Sequence, residues 1–127
     1  LSFNFQCIHM QKIFDLKQRT IELGLSSLQL FQKLDKTKYE IYMIGKQFLR
    51  ASTSMGANYS EADESNTRKD IRNKIKICRS EAKEGMFWLI MMKSLVQIKE
   101  ITYIHNELSE LVRIFSKINI KLADEKK

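Results

Sequence analysis

No proline occurs anywhere in this chain of 127 residues. Turn-rich folds draw on proline repeatedly, whereas a helix interior excludes it, so the expected class is all-α with a few long helices. At this length the chain fits a single domain, residues 1–127, able to bury a core of its own. All four glycines, Gly24, Gly45, Gly56 and Gly85, fall in stretches that otherwise read as helix. Each costs about 1 kcal/mol there relative to alanine, and close contact between helices is the expected compensation.

Hydrophobic spacing divides the chain into four segments. In residues 14–34, Ile21, Leu25, Leu28 and Phe31 recur at intervals of three and four, which predicts a first helix with that face inward. Thr37 and Glu40 have the T-x-x-E spacing of a capping box, so a second helix should begin near Lys38. Its inward stripe reads Ile41, Gly45, Phe48, Ser52, Met55, Tyr59 and Ala62, with small rungs where a neighbour can approach. The polar stretch 63–70 ends that pattern, and Thr67 with Asp70 marks another helix start. The third helix is expected to run to about Gln97, with a turn around Lys99 and Glu100. The fourth carries the ladder Ile104, Leu108, Leu111, Phe115, Ile118 and Leu122. Four amphipathic helices with short connections predict an antiparallel up-and-down bundle.

The third helix holds the most information. Advancing 100° per residue places Ile75, Cys78, Ala82 and Leu89 within about 40° of Ile71, the core face. Arg68, Arg72, Lys76, Arg79 and Lys83 share a flank about 60° to 140° away, with Lys69 just beyond. The formal charge of the chain is +7, and this flank carries most of the excess. In line along one helix, such cations suit the phosphates of a nucleic acid; the alternative is an ordinary solvated face.

From Met86 to Met92 the residues are apolar all the way round. A bundle core covers only part of a helix circumference, and each large side chain left in water forgoes roughly 1.5 to 3 kcal/mol. Phe87, Trp88, Ile90, Met91 and Leu95 are therefore the expected surface of self-association, being of residue types enriched in interface cores. The competing expectation is that the first or fourth helix wraps further round. A neighbouring stripe aligns Ile77, Glu81 and Glu84 with Trp88, and its carboxylates need partners that Arg50 or Lys74 could supply.

Several classes of chemistry find no support. Cys7 and Cys78 match no zinc or redox spacing, so no cofactor or metal is expected and a reducing cytoplasm fits. No nucleophile, metal set or glycine-rich phosphate loop accompanies Glu81 and Glu84, and the expectation is a protein that is not an enzyme. His9 falls in the expected leader, and His105 reads as a polar surface or cap residue rather than a ligand. Residues 1–9 lack the features of a secretory signal, and Met10 reads as a natural start with those nine residues as a leader. No apolar run reaches the roughly 18 to 20 residues of a membrane span, so no membrane partner is expected.

The strings QFLRASTSMGANYSEA (residues 47–62) and KIKICRSEAKEGMFWLIMM (residues 74–92) resemble a known family of four-helix bundle proteins. Its members are encoded by intervening sequences in bacterial large-subunit ribosomal RNA genes, with the accessory proteins of diversity-generating retroelements as relatives. The most specific matches are Ser54, Gly56, Ala57, Asn58, Glu61 and Ala62, then Lys83, Glu84, Trp88 and Leu89. Departures occur at Gly85, Met86 and Ile71. The resemblance, which extends from Met10 to about Leu122, implies a left-handed four-helix bundle, commonly a homopentamer with a basic surface. For the retroelement relatives it implies binding to RNA or DNA and to a reverse transcriptase. Two functions are thus expected: a nucleic-acid-binding or accessory bundle, or a self-assembling structural or adaptor protein that binds no nucleic acid.

Overall fold

Four helices account for nearly all of the computed structural model, which describes residues 15–124: α1 (Leu16–Lys33), α2 (Tyr39–Asp63), α3 (Arg68–Lys93) and α4 (Glu100–Asp124). Side-chain caps start two of them. Asp15 caps α1 by accepting from the Gln18 amide, and the Thr67 hydroxyl caps α3 by accepting from the Asp70 amide at 3.2 Å. The expected capping box at Thr37 and Glu40 does not form. Asp35 takes both the amide and the hydroxyl of Thr37, and α2 begins after Lys38 with no side-chain cap. An aspartate two residues upstream competes for the same donors in a turn, and here it wins. The third helix also stops at Lys93, short of Gln97. The Leu95 and Val96 amides both bond back to the Met92 carbonyl, tightening the chain into a connection that lasts until α4.

Contacts across the bundle fix the register. Thr20, Gly24 and Phe31 of α1 meet Gly56, Thr53 and Gly45 of α2 in reverse order, so the pair is antiparallel. Met55 faces Cys78, and Glu61 faces Lys74, between α2 and α3. Arg79 meets Ser116, and Gly85 meets Leu108, between α3 and α4. Arg19 and Lys33 of α1 reach Glu107 and Glu100 of α4, which closes an up-and-down bundle. The core runs along its axis through Leu23, Leu30, Phe48, Met55, Ile75, Leu89, Leu108 and Phe115.

The faces of α2, α3 and α4 agree with the periodicity, whereas α1 is turned. Ile21 and Leu28 are each 42% exposed, and Leu25 and Phe31 are only half-buried. Arg19, Thr20, Glu22, Ser26 and Ser27 point inward beside Leu23 and Leu30. The cause lies on α4. Glu107 is buried and takes the Arg19 guanidinium in two parallel bonds, Nε to Oε2 at 2.9 Å and Nη2 to Oε1 at 2.8 Å. Glu110 adds a contact at 3.2 Å. A buried arginine needs such partners, and meeting that need turns α1 away from its apolar stripe.

Candidate functional site

On α3 the geometry separates the charged and apolar residues by height as well as by direction. Lys69, Lys76 and Lys83 are exposed, as is Arg68, and Arg72 and Arg79 are half-buried. Together Arg68, Lys69, Arg72, Asn73 and Lys76 line a cleft of about 90 Å³. The Arg72 Nε is buried there without a hydrogen-bond partner. The Arg79 Nε donates to Ser116 Oγ at 2.7 Å, which ties this expected cation to α4. Its role is thus partly to join two helices.

Seen down the axis of α3, Phe87 and Ile90 lie on the same outer flank as Lys69, Arg72 and Lys76. The flank is therefore cationic as far as Lys83 and apolar from Phe87 onward. Phe87 is 52% exposed and Ile90 59% exposed; Met91 and Leu95 are exposed as well. Trp88 is half-buried, its ring packed edge-on against Phe87 at a centroid distance of 5.0 Å. Neither α1 nor α4 wraps round to cover this group in the single chain. Met86, Trp88, Leu89 and Met92 are the members of the run packed against the bundle core, Leu89 and Met92 fully buried.

The carboxylates beside Trp88 have found the partner expected of them. Arg50 of α2 donates from Nη1 to Glu81 Oε2 at 3.1 Å and from Nη2 to Glu84 Oε2. The Trp88 indole N–H donates to Glu84 Oε2 at 3.0 Å. The Trp88 bond first, and Arg50 next, hold the Glu84 carboxyl below its ordinary value. Arg50 is correspondingly raised, chiefly by its bond to Glu84. A carboxylate stabilised in its charged form is a poor proton donor, so this pair braces α2 against α3. Lys74, the other expected partner, instead reaches Glu61 at 2.8 Å.

The remaining candidates are quieter. Cys78 is fully buried, its thiol against the Met55 carbonyl, and burial pushes it up to about 12. His105 is half-buried beside Leu89 and Ile101 at a cavity of about 270 Å³. His9, Cys7 and the expected leader lie outside the described residues. Among the described residues no group of three or more His, Cys, Asp or Glu could hold a metal ion, and no helix is long and apolar enough to cross a membrane. Periodicity missed the polar seam of Arg19, Glu22, Glu107 and Glu110. A signal was present, since Arg19, Glu22 and Ser26 share a flank with Leu30 at helical spacing.

The family model of the 23S rRNA-intervening sequence protein matches residues 12–117. No protein among the curated ones matches the chain. A crystal structure of a protein of unknown function from the S23 ribosomal protein family of Bacteroides thetaiotaomicron superposes with a TM-score of 0.73 at 28% identity. The match covers 83% of this chain and 98% of that one. Both findings concern the ribosomal side of the resemblance and say nothing of retroelement accessory proteins.

Proposed function

The chain belongs to the 23S rRNA-intervening sequence protein family, and from that premise and the layout of α3 we propose a non-enzymatic, self-associating bundle that binds nucleic-acid backbone. The observation that carries this reading is the divided flank of α3. Its first half presents Arg68, Lys69, Arg72 and Lys76 around one cleft, and its second half presents Phe87, Ile90 and Met91 to solvent. Cations in line neutralise phosphates without reading bases, so binding is tolerant of sequence and strongly dependent on salt. The exposed apolar half suits burial against another copy. Glu81 and Glu84, the carboxylates nearest to an acid/base pair, are engaged by Arg50 and Trp88, which favours a structural role for them.

Filter binding of the purified protein to a mixed-sequence RNA and to a DNA duplex, at 50 and at 200 mM salt, tests the nucleic-acid half. Contacts to about six phosphates predict a loss of roughly 10³ to 10⁵ in affinity between those concentrations. Lys69→Glu with Arg72→Glu should abolish binding at the lower salt while the helical circular dichroism signal stays intact. Unchanged binding by that double variant, or no binding by the natural protein at low salt, refutes it. The alternative, an adaptor that assembles without nucleic acid, would then stand on the apolar half alone.

A further inference from the structure

An arginine Nε shut off from water needs an oxygen acceptor, and two arginines of this molecule differ in whether the fold supplies one. For Arg19 it does: Nε and Nη2 grip the two oxygens of Glu107 side by side. For Arg72 it does not. The Arg72 Nε is buried without a partner, and the cleft that Arg72 lines is shared with Arg68, Lys69, Asn73 and Lys76 alone. Asp63 and Glu64 before α3, Asp70 on it and Asp124 on α4 stand at the same end of the bundle, and none of them lines the cleft.

Two internal partners are set aside by geometry. Asn119 of α4 has a buried Oδ1 that also lacks a partner. Counted from the Arg79–Ser116 bond, however, Arg72 stands about 10.5 Å along the axis and Asn119 about 4.5 Å. A helical side chain leans towards the N-terminus, which carries Arg72 further off still. The first-turn amides of α3 do not make the cleft either, since Thr67 takes the Asp70 amide and only side chains converge there.

Size and charge then select the acceptor. A cleft of about 90 Å³ has room for a phosphate group but not for a sugar on each side of it. An internal phosphodiester, with two free oxygens between two sugars, can only lie across the rim. A terminal phosphomonoester has one sugar, three free oxygens and a charge of about −1.5 to −2 at pH 7. Arg72 is half-buried, and a turn of its side chain brings the Nε edge to an anion in the cleft, which recovers the unmade bond. Two phosphate oxygens then meet the guanidinium as Glu107 meets Arg19, and the third meets Lys69, Asn73 or Lys76.

We propose that this cleft seats the phosphorylated end of a nucleic-acid strand, with Arg72 distinguishing an end from an internal phosphate. Lys83, on the same flank about 10 Å beyond Lys76, meets phosphates further along the strand. The inference rests on the nucleic-acid reading above and adds to it a preference for strand ends.

Fluorescence anisotropy at 50 mM salt with short single-stranded RNAs tests it. One strand has hydroxyls at both ends, two others carry a phosphate at the 5′ or the 3′ end, and a fourth is hydroxyl-ended but one nucleotide longer, with its added phosphate inside the chain. The better of the two phosphorylated strands should bind about tenfold tighter than either hydroxyl-ended strand, the worth of one charge-assisted hydrogen bond. That preference should fade between about pH 7.5 and about pH 5, because the phosphomonoester regains its second proton near pH 6. A protein group that titrates acts on all four strands and cancels in the ratio. Arg72→Lys keeps the cation but removes the fork, so it should bring the ratio to about one while the hydroxyl-ended strands stay within about threefold. No advantage over the longer strand, a preference unchanged at the lower pH, or one that survives Arg72→Lys overturns the end seat and leaves backbone binding intact. Absence of binding by every strand overturns both.

Discussion

Two side chains show how burial, and a third how hydrogen bonding, decides what a residue does here. Arg19 is 3% exposed, as is Glu107. Burial alone would lower the arginine's pKa, but the bonds and charges of Glu107 and Glu110 outweigh it and hold Arg19 above its ordinary value. Glu107→Ala should therefore cost about 3 to 5 kcal/mol in urea unfolding, because it strands a buried cation. Replacing Arg19 and Glu107 together by Met and Leu should cost far less, since the one charge left behind, on Glu110, is partly exposed to solvent. Cys78 gives a test with pH. Its folded thiol is pushed up to about 12 from 9.0, so above pH 9 the unfolded chain gives up a proton that the folded one keeps. Stability contributed by the protonated thiol is present below pH 9 and falls as pH rises towards 12, by up to about 1.4 kcal/mol per pH unit. Cys78→Ala should flatten that slope in unfolding curves measured from pH 8 to 11. Glu84 shifts the opposite way: its lowered carboxyl contributes stability above the ordinary 4.5 that is lost as pH falls through the folded value. The chain has one tryptophan, so its fluorescence should report the release of Trp88 only below pH 4.5, and Glu84→Gln should remove the transition.

At the scale of a helix, the glycines separate packing from propensity. A Cβ on Gly24 would meet only Thr53 Cγ2 at 3.9 Å, an ordinary contact. On Gly45 it would stand 2.5 Å from Leu34 Cδ1 and 3.2 Å from Phe31 Cδ1. Leu34 is 5% exposed and has little room to move aside. Gly24→Ala should thus raise stability by up to about 1 kcal/mol, the full helix preference. Gly45→Ala should lower it by about 1 kcal/mol or more, because overpacking exceeds that gain. Both are read from thermal or urea unfolding of the single variants. The existence of each helix was legible because its cause is local: a run of side chains at intervals of three and four, and a cap such as Thr67. Ends were legible only where one signal acted alone. At Thr37 the nearer Asp35 captured the donors, and at Lys93 the chain tightened without any glycine to announce it.

Across the whole molecule, the bundle is closed unevenly. Helices α1 and α4 meet over fewer residues than any other neighbouring pair, and their seam is largely polar. Lys33 with Glu100 stands at one end and Arg19 with Glu107 and Glu110 nearer the other. Within the seam Glu22 is fully buried, with Oε1 accepting from Gln18 at 3.3 Å and Oε2 lacking a partner. Fewer apolar contacts imply a lower free energy of local opening, so amide hydrogen exchange should be fastest in α1 and slowest in α2 and α3. Equal protection in all four helices would contradict this account. By itself the sequence determined that there are four helices, which faces α2, α3 and α4 bury, and that α3 changes from cationic to apolar along its length. Those properties follow from helix geometry applied to neighbours in the chain. Only the tertiary structure decided that α1 turns Arg19 inward and leaves Ile21 and Leu28 exposed. The partner that settles the matter, Glu107, lies 88 residues away, and no local period encodes where an opposing carboxylate will stand.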